Sequence, residues 1–321
     1  MGQKEEKWQQ FLQKQLNFVW SVLELDKINS KILAKFRYLI QIFASLLTNI
    51  HLPNFLKGQI YRGGGKNFCV PGLNCYSCPG AAGACPIGAF QAVVGSSKFK
   101  FSYYISGFII LMGVLLGRFI CGFLCPFGWF QEILHKIPTK KFSTKKFKIL
   151  TYLKYLILLV TVMILPVVLT NKLGMGNPYF CKYICPAGVL EGAIPLSLVD
   201  KSIRSALGNL FTLKFTILII TIVLSIIFFR PFCKWICPLG AFYALFNHIS
   251  LFKINLDQNK CISCNRCVKA CKMDVNVRKD QNHNECIRCG MCISACPTKA
   301  LKYNYGFDKE SENKKILEET K

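Results

Sequence analysis

Two cysteine-rich stretches decide the fold of this chain: CISCNRCVKAC, from Cys261 to Cys271, and CIRCGMCISACP, from Cys286 to Pro297. Each has the spacing C-x-x-C-x-x-C-x-x-x-C. The three closely spaced thiolates of such a run form a short loop that can bind three irons of one 4Fe-4S cluster. The fourth cysteine, one helical turn later, points towards a second cluster. The pair of runs therefore predicts two interlocked clusters in one small module.

The interlocking also predicts which cysteines share a cluster. One set is Cys261, Cys264, Cys267 and Cys296, and the other is Cys286, Cys289, Cys292 and Cys271. Two alternatives fit the spacing less well. A zinc ribbon needs two C-x-x-C pairs with a longer spacer, and a disulfide framework is typical of small secreted chains.

The module resembles a bacterial-type ferredoxin domain of the α+β class, and we place it at residues 251–305. Short β-favouring runs at residues 252–256 and 300–305 flank it and can pair to close it. One departure is that Lys272 follows Cys271, where ferredoxin motifs often have proline. The departure concerns the local turn and leaves the number of ligands unchanged.

The composition is that of a membrane protein with a soluble end. Hydrophobic residues make up 52% of the chain, charged residues make up 18%, and the mean hydropathy is +0.33. The net charge of +25 comes from lysines and arginines beside the apolar runs. We interpret them as determinants of topology and as contacts of anionic lipids. The sequence has no interleaved basic and aromatic surface motif, so a nucleic-acid partner is not expected.

Four runs are predicted to cross the membrane as helices, each long enough for about 30 Å of hydrocarbon. They are Phe36 to Leu52, Phe101 to Ile120, Leu150 to Thr170 and Leu213 to Phe229. The first is the weakest, because polar side chains such as Arg37, Gln41 and His51 interrupt it. The predicted fold class is therefore a membrane α-helical domain with four transmembrane helices, residues 33–250, joined to the ferredoxin domain.

The two ends of the chain complete the predicted domain organisation. Residues 1–32 lack the pattern of a signal peptide, and their apolar residues recur at helical spacing. These residues are Trp8, Leu12, Leu16, Val19 and Leu23. They predict an amphipathic helix that lies on the membrane surface or packs on the rest of the protein. Residues 306–321 are predicted to form a charged tail.

The distribution of lysine and arginine predicts the orientation in the cell membrane. The amino-terminal segment and the loop 118–148 carry seven each, whereas the longer loops 53–100 and 171–214 carry five each. Because the denser segments stay inside, both termini of this multi-pass chain are predicted to be cytoplasmic. The cysteine-rich loops 53–100 and 171–212 would face outward.

An internal repeat links two of the predicted spans. RFICGFLCPFGWF, from Arg118 to Phe130, and RPFCKWICPLGAF, from Arg230 to Phe242, share the pattern R-x-x-C-x-x-x-C-P-x-G-x-F. Cysteines four residues apart lie on one face of a helix, and the proline redirects the chain. We therefore predict a third 4Fe-4S cluster at the inner face, held by Cys121, Cys125, Cys233 and Cys237. The alternatives are free buried cysteines and arginines that extend to the membrane interface instead of offsetting the cluster's charge.

The same C-P-x-G signature recurs in the loops predicted to face outward. CKYICPAG begins at Cys181, and CVPGLNCYSCPGAAGACPIGAF runs from Cys69 to Phe90. Four of the six outer cysteines could hold a fourth cluster, and the favoured ligands are Cys181 and Cys185 together with two of Cys75, Cys78 and Cys85. The two remaining outer cysteines would form a disulfide in an oxidising compartment or belong to a further cluster.

The predicted spans, the C-x-x-x-C-P pairs at 121–125 and 233–237 and the two-cluster module together resemble the NapH/NosR-type membrane polyferredoxins. The likeness covers roughly residues 36–305. It implies passage of electrons between a membrane quinol pool, or another donor, and a partner outside the cytoplasm, in nitrate or nitrous-oxide reduction. The extra cysteine loop at 69–85 departs from the plain nitrate-reductase pattern.

We therefore expect a membrane-bound electron-transfer component more than a stand-alone enzyme. Its expected partners are a cytoplasmic donor or quinol and an extracytoplasmic redox protein, for which a flavin-linked protein is a candidate. A quinone between the helices is a candidate cofactor, with Asn49 and His51 as its contacts. Clusters at opposite faces would be separated by most of the bilayer. The alternative function is a membrane reductase or redox sensor in metal handling or metalloenzyme assembly, with the two unassigned cysteines as its substrate site.

Overall fold

The computed structural model describes residues 30–96, 102–172, 174–205 and 207–306. The amphipathic helix predicted within residues 1–32 lies outside the described residues, apart from its last three positions. The charged tail predicted at residues 306–321 also lies outside them, apart from Gly306.

Four long helical segments dominate the described residues. They are Ser30–Thr48, Tyr103–Leu116, Lys145–Val168 and Asn209–Ile227. The third segment changes its winding along its length. It runs as a 3₁₀-helix over Lys145–Tyr152, an α-helix over Leu153–Ile157, a π-helix over Leu158–Ile164 and an α-helix over Leu165–Val168. The π-helical stretch ends two residues before Pro166, which has no backbone N–H to donate to the helical hydrogen-bond ladder.

Two of these segments are long and apolar enough to cross a membrane. Lys145–Val168 and Asn209–Ile227 have mean hydropathies of 2.1 and 2.5, and only 22% and 17% of their apolar windows are buried inside the protein. Such uncovered apolar surface is typical of a membrane-facing helix and not of the core helix of a soluble protein. The two segments correspond to the spans predicted at residues 150–170 and 213–229.

The other two predicted spans differ from expectation. Tyr103–Leu116 has 14 residues and is about 21 Å long at 1.5 Å per residue, shorter than the ~30 Å core of a bilayer. Ser30–Thr48 is longer but buries polar side chains. Among them, Arg37 donates two hydrogen bonds of 2.8 Å to Glu132. Four transmembrane helices are therefore not confirmed, and two candidate spans remain.

Short helices connect the long segments and position the cysteine motifs. Three of them, Pro86–Gly95, Pro126–Leu134 and Pro238–Leu245, begin at the proline of a C-P-x-G motif. Proline suits the first helical position, where the missing amide would have no partner in the helix. The other short helical segments described before residue 250 are Pro53–Lys57, Gly64–Asn67, Phe119–Phe123, Phe180–Ile184, Gly188–Ala193, Ile194–Val199, Lys201–Ser205 and Pro231–Trp235.

The carboxyl-terminal module contains a two-stranded antiparallel sheet and two short helices. Strand β1, Phe252–Leu256, pairs with strand β2, Leu301–Tyr305, and Phe252 lies opposite Tyr305. The helices are Arg266–Ala270 and Met291–Ala295. The strand pairing expected from the flanking β-favouring runs is present and closes the module.

The module packs directly on the helical part of the chain. A Cβ atom added to Gly122 would collide with the carbonyl oxygen of Ile287. Glu285 of the module pairs with two buried cations of the helical part, Arg118 at 2.9 Å and Lys154. Removing one partner of such a group would leave a buried charge uncompensated, so the pairs fix the module in one position.

Candidate metal centres

Four C-P-x-G motifs turn the chain in the same way. Their cysteines are Cys85, Cys125, Cys185 and Cys237, and all have extended backbone angles, with φ between −86° and −66° and ψ between 112° and 126°. A following proline disfavours the helical region and favours this one. The amides of Gly128 and Gly240 each donate to the thiol three residues earlier at 3.4 Å. The motif therefore directs backbone N–H groups at its cysteine sulfur.

The structure brings together the four cysteines of the predicted repeat, which we call the arginine site: Cys121, Cys125, Cys233 and Cys237. All four are at most 8% exposed. Burial, followed by the nearby thiols of the other three, raises the pKa of Cys237 well above its usual value. The four sulfurs therefore lie within electrostatic range of one another. Their role as ligands of one cluster stays a prediction.

Two buried arginines connect the two motifs that form the arginine site. Arg118 donates to the carbonyl oxygen of Cys233 at 3.1 Å, and Arg230 donates to the carbonyl oxygen of Cys121. Each arginine therefore contacts the first cysteine of the other motif. Both side chains have no solvent exposure, and each pairs with a buried carboxylate, at 2.9 and 2.8 Å. The alternative in which they extend to the membrane interface is wrong.

A buried glutamine holds one cysteine of the arginine site. Nε2 of Gln131 donates to Sγ of Cys233 at 3.1 Å, and its Oε1 accepts from the backbone N–H of Phe232 at 3.2 Å. Because the backbone N–H is a donor, the amide must turn its oxygen towards it and its NH₂ group towards the sulfur. Gln131 has no solvent exposure. Its N–H group is therefore committed to a buried thiol.

A second group of four thiols lines one cavity of about 480 Å³, and we call it the cavity site: Cys75, Cys85, Cys181 and Cys185. Burial, followed by the thiols of the other three, raises the pKa of Cys185. Two glycines form part of the wall. A Cβ atom on Gly88 would lie 3.7 Å from Sγ of Cys181, and one on Gly188 would lie 3.7 Å from Sγ of Cys75. The space in front of these sulfurs would be narrowed by any larger residue at either position.

The cavity site repeats the glutamine contact of the arginine site. Nε2 of Gln91 donates to Sγ of Cys181 at 3.1 Å, and its Oε1 accepts from the backbone N–H of Phe180 at 3.0 Å. The sequences involved are CPIGAFQ at 85–91 and FCKYICP at 180–186 for the cavity site, and CPFGWFQ at 125–131 and FCKWICP at 232–238 for the arginine site. Nearly the same segments therefore make the same contact twice.

The two sites differ in the origin of one thiol. In the arginine site both motifs supply two cysteines four residues apart. In the cavity site the residue four positions before Cys85 is Ala81, and Cys75 supplies the thiol from the loop 69–85. The sequence left open which two of three loop cysteines join the fourth site, and the structure places Cys75 and Cys85 there.

The remaining loop cysteines have other surroundings. The thiol of Cys78 donates to Oδ1 of Asn49 at 3.3 Å, and Cys69 lies in a short bridge with Ala84. All eighteen cysteines, which lie in the described part of the chain, are free thiols. The disulfide alternative is therefore not present.

The two candidate quinone contacts have protein partners. Asn49 accepts hydrogen bonds from Cys78 and from Asn74, the latter at 3.1 Å. The ring of His51 is stacked on the ring of Tyr61, with 3.7 Å between the ring centres. A role of either residue towards a quinone stays a prediction.

The carboxyl-terminal module brings its eight cysteines together in the two predicted sets. The members of the first, which line one small cavity, are Cys261, Cys264, Cys267 and Cys296. In the second set, burial and then the thiols of Cys286, Cys289 and Cys271 raise the pKa of Cys292. Lys272 does not alter the turn, because Cys271 has φ −77° and ψ 101° whereas Cys296, which precedes proline, has φ −78° and ψ 114°.

Each of the four groups offers the four cysteine thiols that bind a 4Fe-4S cluster. Within the described ranges, no three histidine, cysteine or acidic side chains are close enough to hold a single metal ion. The thiols of the cavity site are instead arranged around a shared space. Four thiols around one space fit a 4Fe-4S cluster, which needs four cysteine ligands.

The arginine site and the cavity site are neighbours. Leu73 lines the cavity, and its backbone N–H lies near the thiol of Cys125. A Cβ atom on Gly72 would lie 2.9 Å from Cα of Cys125. The loop 69–85 therefore reaches the arginine site, so the two groups of thiols are neighbours and are not separated by most of the bilayer, as the predicted faces had implied.

A buried tyrosine lies near thiols of both sites. Burial, followed by the thiols of Cys121, Cys85 and Cys125, raises the pKa of Tyr243 well above its usual value. Thiols of both sites are thus within electrostatic range of one phenol group. Because its pKa is raised, the tyrosine remains neutral at physiological pH and adds no charge near these thiols.

Two family models match the chain. The model described as a 4Fe-4S binding domain matches residues 83–104, 101–145, 155–194 and 210–257, and the model described as a 4Fe-4S dicluster domain matches residues 253–297. Each match of the first model contains a C-P-x-G motif, and the match of the second contains the eight-cysteine module. No solved structure matches the chain significantly.

Similarity to known proteins identifies the family. The uncharacterized protein MJ0750 of Methanocaldococcus jannaschii is 33% identical over 213 residues, which are 63% of this chain and 79% of that protein. This chain belongs to the family of MJ0750. In this MJ0750-family protein, the matched domains indicate 4Fe-4S binding.

Two more distant relatives carry functional names. The putative electron transport protein YccM of Escherichia coli is 23% identical over 53% of this chain and 45% of its own length. The methylamine utilization ferredoxin-type protein MauN of Paracoccus denitrificans is 24% identical over 51% of this chain and 50% of its own length. The MJ0750-family protein thus spans about half of each. It is a distant homologue of ferredoxin-type electron-transport proteins, and a NapH/NosR type is not confirmed.

Sequence reasoning missed three residues of these sites in the MJ0750-family protein. The sequence contained a signal for Gln91 and Gln131, because each directly follows a C-P-x-G-x-F motif. It contained no signal for Tyr243, since the proximity of Tyr243 to both sites depends on where the loop 69–85 folds.

Proposed function

We propose that this chain is a membrane-bound electron-transfer protein that holds four 4Fe-4S clusters in a row. The contact of each cysteine group with the next carries the proposal. Ile287, in the second ferredoxin run, lies against Gly122, which follows Cys121 of the arginine site. Gly72, which precedes Leu73 of the cavity wall, lies against Cys125 of the arginine site. Bound clusters would supply one-electron chemistry, and the protein positions and tunes them.

The first cluster of this row lies in the carboxyl-terminal module, and its proposed ligands are Cys261, Cys264, Cys267 and Cys296. The second cluster is held by Cys271, Cys286, Cys289 and Cys292. The arginine site follows, and the cavity site comes last. The interlocking of the two ferredoxin sets and the shared loop 69–85 keep neighbouring groups in contact.

The side chains around the arginine site favour negative charge. Arg118 and Arg230 are buried there, and Gln131 directs an N–H group at Cys233. Burial alone would raise the pKa of Glu132, but Arg230 and Arg37 hold it below its usual range. The carboxylate therefore stays ionised and offsets part of the positive charge. Hydrogen bonds to sulfur and local charge are the means by which a protein sets a cluster's potential.

The partners follow from the two ends of the row. A cytoplasmic or quinone donor would exchange electrons with one end, and a redox protein outside the cytoplasm, for which a flavin-linked protein is a candidate, with the other. Two helices with exposed apolar surface support a membrane location. The names of YccM and MauN support electron transport. The resemblance to NapH/NosR-type polyferredoxins also supports electron transfer to a partner outside the cytoplasm.

No specific observation favours the alternative of a reductase or sensor. That function would use the unassigned thiols Cys69 and Cys78 as a substrate site. They are 9% and 1% exposed and have different neighbours. A substrate therefore has no shared, accessible dithiol at this position.

Cluster content tests the proposal. Four cubanes require about sixteen irons and as much sulfide per chain, so anaerobically purified and reconstituted protein should approach that number. Redox-titrated EPR spectroscopy should resolve signals beyond those of the ferredoxin pair. Saturation near eight irons would restrict cluster binding to the module and contradict the row.

Labelling of thiols tests the orientation. In intact cells, a membrane-impermeant thiol reagent should modify cluster-free protein at Cys75 and leave Cys264 unmodified, since the loop 53–100 is predicted outside. The reverse pattern would invert the proposed direction of the chain.

A further inference from the structure

One end of the proposed row comes close to solvent at a single thiol. All eighteen cysteines lie in the described part of the chain, and Cys264 is the exposed one. Its neighbour Cys267 is buried, and so is Cys286 of the second set. A carrier that docks over Cys264 would therefore approach a bound cluster more closely than one that docks elsewhere on the module.

The loop that carries Cys264 has a fixed shape. Ser263 and Asn265, on either side of it, have left-handed φ values of 56° and 58°, which are uncommon for residues other than glycine. Arg278 holds both: it donates to Oγ of Ser263 and to Oδ1 of Asn265, each at 2.8 Å. The thiol is thus presented on an ordered loop.

The surroundings of this thiol combine an apolar centre with positive charge. Ile262 is 64% exposed. Residues 257–272 contain four exposed basic side chains, Lys260, Arg266, Lys269 and Lys272, against one acidic side chain, Asp257. Asp257 pairs with Lys260 at 3.1 Å, whereas Arg266 and Lys269 have no acidic partner in the described part of the chain. We call the patch formed by Lys260, Ile262, Cys264, Arg266 and Lys269 the Cys264 surface.

We propose that the Cys264 surface is the docking site of a soluble, acidic electron-carrier protein. The inference deepens the proposed function and rests on it. A small apolar centre with charges at its rim suits a transient complex, in which charge determines the association rate more than the lifetime. Complementary charge raises association rates by about 10 to 10³ at low salt. An acidic carrier would therefore be selected over a basic one.

The test uses full-length holoprotein in nanodiscs of neutral lipid, reduced with dithionite and freed of excess reductant. Oxidised flavodoxin, an acidic carrier, and oxidised cytochrome c, a basic one, serve as probes. One electron leaves the reduced holoprotein in each encounter. It reduces the flavin together with one solvent proton, or it reduces ferric haem to ferrous haem, and stopped-flow absorbance follows the reaction.

The double variant Arg266→Glu, Lys269→Glu should slow the reaction with flavodoxin about tenfold or more at low salt and accelerate the reaction with cytochrome c. Both effects should shrink as the ionic strength rises, because salt screens exposed charges. Lys148→Glu reverses one exposed charge, where the double variant reverses two, on another segment, Lys145–Tyr152, and should leave both rates near those of the unmodified protein.

Equal effects of the double variant and Lys148→Glu, or no effect of either, would overturn the proposal. If the double variant instead loses binding to anionic vesicles while its rate with flavodoxin is unchanged, the surface faces lipid and the proposal is also wrong. Failure of the proposed function gives a different result: flavodoxin would still distinguish the variants, but the arginine and cavity sites would show no cluster signals.

Discussion

The hydroxyl group of Tyr243 donates a hydrogen bond of 3.0 Å to the carbonyl oxygen of Pro71, 172 residues away in the sequence. Tyr243 lies on the helix Pro238–Leu245, which begins after a cysteine of the arginine site. Pro71 lies in the loop that supplies a thiol to the cavity site. The bond therefore joins the two sites, and a hydrogen bond of this kind contributes about 1 kcal/mol.

The assignment of Cys75, and not Cys78, to the cavity site can be tested by substituting each cysteine. Cys75→Ser should remove about four irons per chain, because the hydroxyl is a poor ligand for iron in a cubane. Cys78→Ser is the matched control, since Cys78 bonds to Asn49 instead. Iron and sulfide analysis after reconstitution measures both. Equal iron loss in the two variants would show that the cavity geometry does not select the ligand.

The glutamine contacts predict that replacing either glutamine shifts the reduction potential of the cluster bound at its own site. Gln131→Leu removes the N–H group aimed at Cys233, so the more negative, reduced form is less stabilised and the potential of the arginine site should fall. A net hydrogen bond contributes about 1 kcal/mol, and 59 mV corresponds to a factor of ten for one electron. The expected shift is therefore on the order of tens of millivolts.

The second glutamine provides the control for the first. Gln91→Leu should lower the potential of the cavity site and leave that of the arginine site unchanged. Redox-titrated EPR spectroscopy of both variants measures this. Shifts of both signals in either variant would indicate a general loosening of the fold and not the loss of one hydrogen bond.

The contact between the loop 69–85 and the arginine site predicts that one methyl group added at Gly72 alters both sites. In Gly72→Ala, the added carbon would lie 2.9 Å from Cα of Cys125 and 3.0 Å from the carbonyl oxygen of Leu124. Backbone atoms cannot turn aside, so the loop must move and the signals of both sites should change. Gly64→Ala has no atom within 4 Å of its added carbon and should change neither signal. An unaltered arginine-site spectrum in Gly72→Ala would argue against the contact.

The docking of the ferredoxin-like module depends on the absence of a side chain at Gly122. Gly122→Ala would push against the carbonyl oxygen of Ile287, and such overpacking typically costs about 1–3 kcal/mol. We expect unchanged iron content, faster proteolytic release of residues 251–305 and slower electron passage to the arginine site. Gly107→Ala, whose added carbon meets no atom within 4 Å, is the control. A stable, normally coupled Gly122→Ala protein would contradict the packing.

The two motifs of the arginine site should act as one unit. Cys125→Ser or Cys237→Ser removes one of four thiols, and either should abolish a third EPR signal while the ferredoxin signals persist. The double variant should be no worse than either single one, as expected for residues that serve one function together. Undiminished electron passage in the double variant would place this site off the route.

The spacing of residues within short segments determined the cysteine sets and the candidate membrane spans of this protein. The two C-x-x-C-x-x-C-x-x-x-C runs predicted the two cysteine sets of the module, and the repeated R-x-x-C-x-x-x-C-P-x-G-x-F pattern predicted which cysteines meet at the arginine site. These arrangements depend on ligands a few residues apart, so helix geometry and proline restrictions within each short segment define most of the site. The apolar runs at 150–170 and 213–229 were likewise readable, because length and hydropathy are local properties.

Only the tertiary structure decided how the sites relate to one another. Hydropathy and charge counts placed the loop 69–85 far from Cys125, since they describe each segment alone. In the fold, the carbonyl of Pro71, the N–H of Leu73 and the absent side chain of Gly72 fit against the arginine site. The choice of Cys75 over Cys78 follows from the same placement. These contacts depend on the packing of the whole chain, and no motif in the loop 69–85 indicates that Cys125 or Tyr243 is its neighbour.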